Sequence, residues 1–342
     1  MSATMAQSVR DRLLRRARAQ GEDFNFLLNR FAVERFLYRL SLSPHRDRFV
    51  LKGASLFAIW AAQPYRATRD IDLAGFGPSD PDAVIATFRE VCAVVVEDDG
   101  LMILSEALTA ATIRDEEGYG GVRIHIPARL GNAHTDVQID VGFGDAITPP
   151  AAEVDYPTLL PFPAPRLRAY PRETVVAEKW EAMVSLGIGN SRMKDFFDVW
   201  VLARDFAFDG PTLAAAIGAT FSRRGTTLPP GPPIALTDAF AHDDAKQRQW
   251  QAFRRRNSAI GTPATLAETI TALALFLTPP RMHPSQADHS PSIGLPVGRG
   301  TSEDGASRSS IHRCRIRFLN RHREIKGVPL TPKDGYPPPQ WY

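Results

Sequence analysis

The stretch Arg69-Asp-Ile-Asp-Leu73 alternates acidic and apolar residues with a period of two. Successive side chains of a β-strand point to opposite faces of the sheet, so Asp70 and Asp72 share one face while Ile71 and Leu73 point the other way, into a core. The pattern therefore predicts a strand with one hydrated face that carries two carboxylates.

Apolar patterns on both sides of this stretch predict an α+β fold whose first part is a mixed sheet with flanking helices. Helical spacing of apolar residues runs from about Ser8 to Leu40, and further helices are predicted over Ser55–Ala62 and Asp82–Val91. Other strands are predicted at Phe49-Val-Leu51, Ile124-His-Ile126 and Val137-Gln-Ile-Asp-Val141.

The pattern becomes almost entirely helical after a proline-rich connector at Pro149–Pro171. Helices are predicted over Glu173–Leu186, Lys194–Arg204, Pro211–Ser222, Asp244–Arg255 and Thr265–Leu277. The end of the chain is rich in Ser, Gly and Pro and then strongly basic, which predicts disorder. The predicted division is a sheet domain over residues 1–160, a helical domain over 161–280 that closes a cleft, and a disordered basic tail over 281–342.

Composition indicates a soluble cytoplasmic protein. The 342 residues carry a formal net charge of +3, and Cys92 and Cys314 are the two cysteines, too few for a disulfide framework. No secretory signal and no apolar run of about 20 residues is visible, so no membrane partner is expected. The mildly basic charge is compatible with a nucleotide or nucleic-acid substrate without being diagnostic of one.

A third acid, Asp140, lies in the predicted strand Val137-Gln-Ile-Asp-Val141 on the face opposite the apolar residues. Carboxylates that converge from neighbouring strands are the ligands that two-metal phosphoryl chemistry needs. The alternative is that Asp70 and Asp72 are solubilising charges or ion-pair partners of Arg66 and Arg69.

The segment Lys52-Gly-Ala-Ser-Leu56 joins a predicted strand to a predicted helix. Backbone N–H groups at such a junction, a small residue that permits close approach and the Ser55 hydroxyl suit the phosphates of a nucleotide. Gly53 and Ser55 are therefore candidate nucleotide-binding residues. An ordinary tight turn is the alternative.

Taken in order, these motifs resemble the nucleotidyltransferase superfamily and, more narrowly, the AbiEii/AbiGii toxins of type IV toxin–antitoxin systems. The resemblance covers roughly residues 25–280. It is carried by the stretches Phe49-Val-Leu-Lys-Gly-Ala-Ser-Leu56, Arg69-Asp-Ile-Asp-Leu73, Ile139-Asp-Val141, Tyr170-Pro-Arg-Glu-Thr-Val-Val-Ala-Glu-Lys179 and Arg192-Met-Lys-Asp-Phe-Phe-Asp198. Ala54 departs from the pattern, since such proteins usually have a second glycine there.

The resemblance implies that Asp70, Asp72 and Asp140 hold Mg²⁺ or Mn²⁺, that Lys179 contacts the phosphates of the substrate NTP, and that Asp195 belongs to the active site. It further implies transfer of a nucleoside monophosphate to an RNA hydroxyl, perhaps the tRNA 3′ end, and a toxin role in phage defence beside a cognate antitoxin encoded nearby. Two rivals are a nucleotidyltransferase that modifies a small molecule such as an antibiotic, and a catalytically silent nucleotide- or RNA-binding scaffold.

Overall fold

The fold confirms the predicted class, a mixed sheet with helices followed by a helical part. The structure is a computed structural model that describes residues 3–61, 68, 70–114, 120–257 and 262–278. The predicted disordered tail, residues 281–342, lies outside the described residues. Within the described part of the chain, no helix has both the length and the apolar character that crossing a membrane requires.

In the part of the chain that the structure describes, eight strands form one sheet. They are β1 (Phe49–Lys52), β2 (Ile71–Gly75), β3 (Leu101–Ile103), β4 (Thr109–Arg114), β5 (Gly120–Leu130), β6 (Ala133–Phe143), β7 (Ala152–Asp155) and β8 (Arg166–Ala169). The order across the sheet is β3-β5-β6-β2-β1-β8-β7, and β4 pairs with β5. Strand β2 lies at the centre, antiparallel to β1 and parallel to β6. The strands predicted around residues 49–51, 70–73, 124–126 and 137–141 are confirmed as parts of β1, β2, β5 and β6.

The other predicted helices are also confirmed, with bounds that differ by a few residues. Of the predicted helix Ser55–Ala62, only Phe57–Trp60 is α-helix, and Ala62 lies outside the described residues. The α-helices are α1 (Ala3–Gln20), α2 (Phe24–Leu42), α3 (Phe57–Trp60), α4 (Pro81–Cys92), α5 (Arg172–Leu186), α6 (Met193–Asp205), α7 (Gly210–Arg224), α8 (Asp238–Ala241), α9 (Asp244–Arg256) and α10 (Leu266–Leu277). Several begin at a side chain that accepts a hydrogen bond from the first turn: Asp23, Asp80, Asp209, Asp243 and Thr265. Such N-caps fix where a helix starts because they satisfy N–H groups that have no partner within the helix.

The proline-rich segment expected to be a connector contains two strands of the sheet. Strand β8 pairs in parallel with β1 and antiparallel with β7, so the sheet continues to Ala169, beyond the predicted boundary at residue 160. Both strands have only four residues and are flanked by prolines, which hide the alternation of the buried Leu167 and Ala169. Prolines are tolerated here because β7 is the edge of the sheet.

Helix α2 carries two buried cations that share one carboxylate. Arg35 Nε lies 3.2 Å and Arg39 Nη1 lies 2.8 Å from Asp99 Oδ2, and all three side chains are less than a tenth exposed. The group ties α2 to the loop before β3. Removing the Asp99 carboxylate would leave buried charge without compensation, so this group fixes the packing of α2.

Glu34 on α2 gives a pH-dependent prediction. Its side chain is buried, and Oε2 accepts a 2.8 Å hydrogen bond from the Leu159 N–H, while Oε1 has no hydrogen-bond partner among the described residues. Burial raises the pKa of Glu34 from 4.5 to about 7. Between these values the folded protein keeps a proton that the unfolded chain has released, so the free energy of unfolding falls as the pH rises, and the fall is complete above pH 7.

Glu34→Gln removes this titration and keeps the acceptor for Leu159. As the pH rises from acidic to mildly alkaline values, the parent should lose about 3 kcal/mol of unfolding free energy that the variant does not lose. Urea denaturation across that range measures the difference. Glu106→Gln, at an exposed position, is the matched control. Parallel pH profiles for the parent and Glu34→Gln would contradict the prediction.

Candidate active site

The acidic residues that the sequence singles out lie in one row of side chains across the centre of the sheet. Asp72 on β2 is the register partner of Lys52 on β1 and of Asp140 on β6. Asp140 is in turn the register partner of Arg123 on β5. Register partners on adjacent strands project from the same face, so the row reads cation, carboxylate, carboxylate, cation.

Asp70 comes two residues before Asp72, directly before the first residue of β2, and so joins the same face. Loss of hydration and the charge of Asp140 raise the pKa of Asp70. Burial raises the pKa of Asp72, although the charges of Lys52 and Lys194 oppose the increase. Both carboxylates are therefore less stable as anions than they would be in water, which is the condition that a bound cation relieves.

The donor set of Asp70 and Asp72 fits a hard divalent cation such as Mg²⁺ or Mn²⁺, since it consists of carboxylate oxygens. Among the described residues, no cation forms an ion pair within 4 Å of either carboxylate. Arg66 and Arg69, the alternative partners considered from the sequence, lie outside the described residues. Within the described part of the chain, no group of three His, Cys, Asp or Glu side chains is placed to hold a metal ion.

The third predicted carboxylate is held by an arginine. Arg123 donates from Nε to Asp140 Oδ1 at 2.8 Å and from Nη2 to Oδ2 at 2.7 Å. Arg123 was not among the predicted site residues. Strand alternation alone places it on the polar face, because Val122 and Ile124 on either side are buried, but which acid it meets depends on the register of β5 against β6. Asp140 as a metal ligand stays a prediction.

The Lys52–Ser55 turn brings the backbone against Asp72. Gly53 has φ +72°, and a Cβ placed on it would lie 2.0 Å from Asp72 Oδ2. Only glycine allows this approach, because any side chain would displace the carboxylate. Residues Gly53–Leu56 form a 3-10 turn that continues into α3, where a helix starting at Ser55 was expected.

Gly53→Ala tests this approach. We expect the free energy of unfolding to fall by about 1–2 kcal/mol because of the positive φ. We also expect Mn²⁺ affinity to fall, because the new methyl group moves the Asp72 carboxylate. Gly131→Ala is the matched control: Gly131 has φ +59° but nothing within 4 Å of the position of a Cβ. Isothermal titration with Mn²⁺ and urea denaturation separate the two costs, and equal metal affinity in both variants would refute the contact.

Ser55, the predicted phosphate contact, is buried and its hydroxyl donates to the Lys52 carbonyl at 3.0 Å. In this arrangement the hydroxyl closes the turn that carries Gly53. Contact of Ser55 with phosphate stays a prediction.

The two residues implied in the helical part lie together. Lys179 Nζ on α5 is 2.5 Å from Asp195 Oδ1 and 3.0 Å from Asp198 Oδ2, both on α6. Asp198 is fully buried and the other two side chains are at most 13% exposed. The charge of Lys179 also reaches Asp72, where it opposes the rise in pKa. This cluster therefore lies beside the acidic row, and its lysine is held by two carboxylates.

Lys194, at the start of α6, was not among the predicted site residues. Its side chain is exposed, and its charge lowers the pKa of both Asp70 and Asp72 against the effect of burial. An exposed cation whose charge acts on two carboxylates suits an anionic substrate better than a lysine held by two aspartates. The packing of α6 beside β2 is a long-range relation, so the effect of Lys194 on the two acids was not predictable from local patterns.

A second polar group, also missed, joins the sheet to the helices. Lys52 Nζ lies 2.6 Å from Asp145 Oδ2, and Arg224 on α7 lies 3.6 Å from Asp145 Oδ1 and 2.6 Å from Glu181 on α5. Burial acts to lower the pKa of Lys52, but neighbouring carboxylates raise it. Burial acts to raise the pKa of Asp145, but the charge of Lys52 lowers it. Burial raises the pKa of the adjacent Glu178. These contacts fix α5 and α7 against the strand ends that carry the acidic row.

Comparison with known proteins identifies the family of the chain. The model of the nucleotidyl transferase AbiEii toxin family, type IV toxin–antitoxin system, matches residues 35–271. The chain belongs to this family, and it is thus a nucleotidyltransferase-family toxin. No curated protein matches the chain.

Two solved structures from Helicobacter pylori are similar to the chain. A protein provisionally assigned as a nucleotidyltransferase shares 14% identity and a TM-score of 0.41, over 70% of this chain and 88% of its own. JHP933 shares 15% identity and a TM-score of 0.40, over 70% of this chain and 85% of its own.

Proposed function

We propose that the chain is a metal-dependent nucleotidyltransferase that moves a nucleoside monophosphate from an NTP to an RNA hydroxyl, at the tRNA 3′ end. The observation that carries the proposal is the placement of Asp72 between Asp140 and the glycine turn. Asp72 and Asp140 are partners on adjacent parallel strands, and Gly53 lets the backbone approach Asp72. Carboxylates and backbone N–H groups at one place suit a metal–triphosphate complex.

In this proposal Asp70 and Asp72 hold Mg²⁺ or Mn²⁺, and the bound cation supplies charge stabilisation to the phosphates. The turn at Gly53 and Ser55 binds the β and γ phosphates through its N–H groups. Lys194 is exposed and faces the acids, so it attracts the anionic substrate. Lys179 contributes positive charge from its cluster and keeps Asp195 in place.

The acceptor hydroxyl attacks the α-phosphorus, the bond to the bridging oxygen breaks, and pyrophosphate leaves. Asp195 is proposed to position the acceptor or to take its proton, since it lies on α6 next to Lys194. A type IV toxin family implies a cognate antitoxin, and a role in phage defence is part of the proposal.

Labelled NTPs test this function. The protein is incubated with Mg²⁺, total tRNA and each of the four NTPs, labelled either at the α or at the γ phosphate. We expect α label on tRNA and no γ label, because pyrophosphate is the leaving group. Periodate-oxidised tRNA, which lacks the terminal diol, should accept nothing.

The other outcomes separate the rival functions. Transfer of α label to a small acceptor in place of RNA would support a small-molecule nucleotidyltransferase and refute the RNA proposal. Nucleotide binding without transfer, unchanged by Asp72→Asn, would identify a silent scaffold and refute the catalytic proposal.

A further inference from the structure

We propose that Arg123 takes the place of a second metal ion beside Asp140, so that the chain, before nucleotide binds, holds one divalent cation on Asp70 and Asp72. This inference rests on the proposed function, because it concerns the metal site of that reaction. It assigns to Arg123 a role in setting the number of metal ions.

The first support is the geometry of the Arg123–Asp140 pair. Both carboxylate oxygens of Asp140 accept a hydrogen bond from the guanidinium, at 2.8 and 2.7 Å. A planar bidentate pair of this kind is among the stronger side-chain contacts, and it leaves no oxygen of Asp140 without a charged donor. A metal ion on Asp140 would have to use the remaining lone pair of an oxygen that already accepts from the guanidinium, close to the positive charge of Arg123.

The second support is the sheet register, which places Arg123 directly opposite Asp140. The two residues are register partners in the long antiparallel pair of β5 and β6, which runs from Gly121 and Gly142 to the hairpin turn. Their backbones are thus held at the spacing of paired strands, about 4.8 Å.

The third support is the distribution of charge. Arg123 pairs with Asp140, whereas no cation of the described residues forms an ion pair within 4 Å of Asp70 or Asp72. The charge of Lys194 acts on both of these carboxylates from a longer distance. Asp70 and Asp72 are therefore the carboxylates left to bind a divalent cation.

Manganese stoichiometry tests the inference without relying on activity. Mn²⁺ is titrated into the full chain without nucleotide, and the loss of the free-ion electron paramagnetic resonance signal gives the number bound. We expect one Mn²⁺ for the parent, none for Asp72→Asn at the same concentrations, and a second Mn²⁺ for Arg123→Gln. Arg129→Gln, the same change on the same strand, should bind one. Circular dichroism melting confirms that each variant is folded.

Two Mn²⁺ ions in the parent, or one in Arg123→Gln, would overturn the inference. The labelling assay separates this from failure of the proposed function. If Asp72→Asn loses both Mn²⁺ and transfer while Arg123→Gln matches the parent in stoichiometry, only the role of Arg123 is wrong. If the parent binds no Mn²⁺ and Asp72→Asn transfers label normally, both proposals are wrong.

Discussion

Asp72→Asn is expected to lower nucleotidyl transfer by about 1,000-fold or more while leaving the fold intact. The carboxylate is the central member of the acidic row, and loss of a metal ligand removes several kcal/mol of charge stabilisation. Because burial raises the pKa of Asp72, the ionised side chain is unfavourable in the folded state without a cation. The free energy of unfolding, measured without metal, should therefore stay the same or increase at neutral pH.

The matched control is Asp136→Asn, the same change on β6 at an exposed carboxylate that pairs with His125. It should transfer label at the rate of the parent. Transfer rates from α-labelled NTP, with urea denaturation of each protein, make the comparison. Asp72→Asn that is unfolded, or that is as active as Asp136→Asn, would contradict the assignment.

Lys179→Met is expected to destabilise the protein by about 3–5 kcal/mol, because it leaves the carboxylates of Asp195 and Asp198 buried without their shared cation. The side chains are 8% and 0% exposed, so water cannot replace the lysine. The double variant Lys179→Met, Asp198→Asn should recover a large part of the loss, since only one charge then remains.

Lys246→Met is the matched control for this second change. Lys246 is also buried, but its Nζ donates to the Asn190 carbonyl at 2.9 Å and leaves no carboxylate behind. We expect a loss of about 1 kcal/mol, the net value of one hydrogen bond. Urea denaturation gives all three values. Equal losses for the two single variants, or no recovery in the double variant, would show that Lys179 does not compensate a buried charge.

Local patterns in the sequence were enough for most of the elements. Period-two alternation gave β2 and the face of Asp70 and Asp72, and helical spacing with N-caps gave the long helices. The strands β7 and β8 escaped because they are short and flanked by prolines. Their pairing with β1 is a long-range contact that no local pattern encodes.

The candidate site divides in the same way. The residue types and the spacing of Gly53, Ser55, Asp70, Asp72 and Asp140 pointed to phosphate and metal chemistry. The family resemblance added Lys179 and Asp195, and the structure brings these two within 2.5 Å of one another. The roles of all seven residues in metal and nucleotide binding stay predictions.

The sequence by itself determined which side chains share a face, because backbone periodicity fixes that within each strand or helix. Only the tertiary structure decided which charges meet. Arg123 faces Asp140 through the register of β5 against β6. The packing of α6 brings the charge of Lys194 close enough to lower the pKa of both acids against the effect of burial. Register and packing depend on contacts between residues far apart in the chain. For that reason the acidic pair at Asp70 and Asp72 could be predicted, while the cations around it could not.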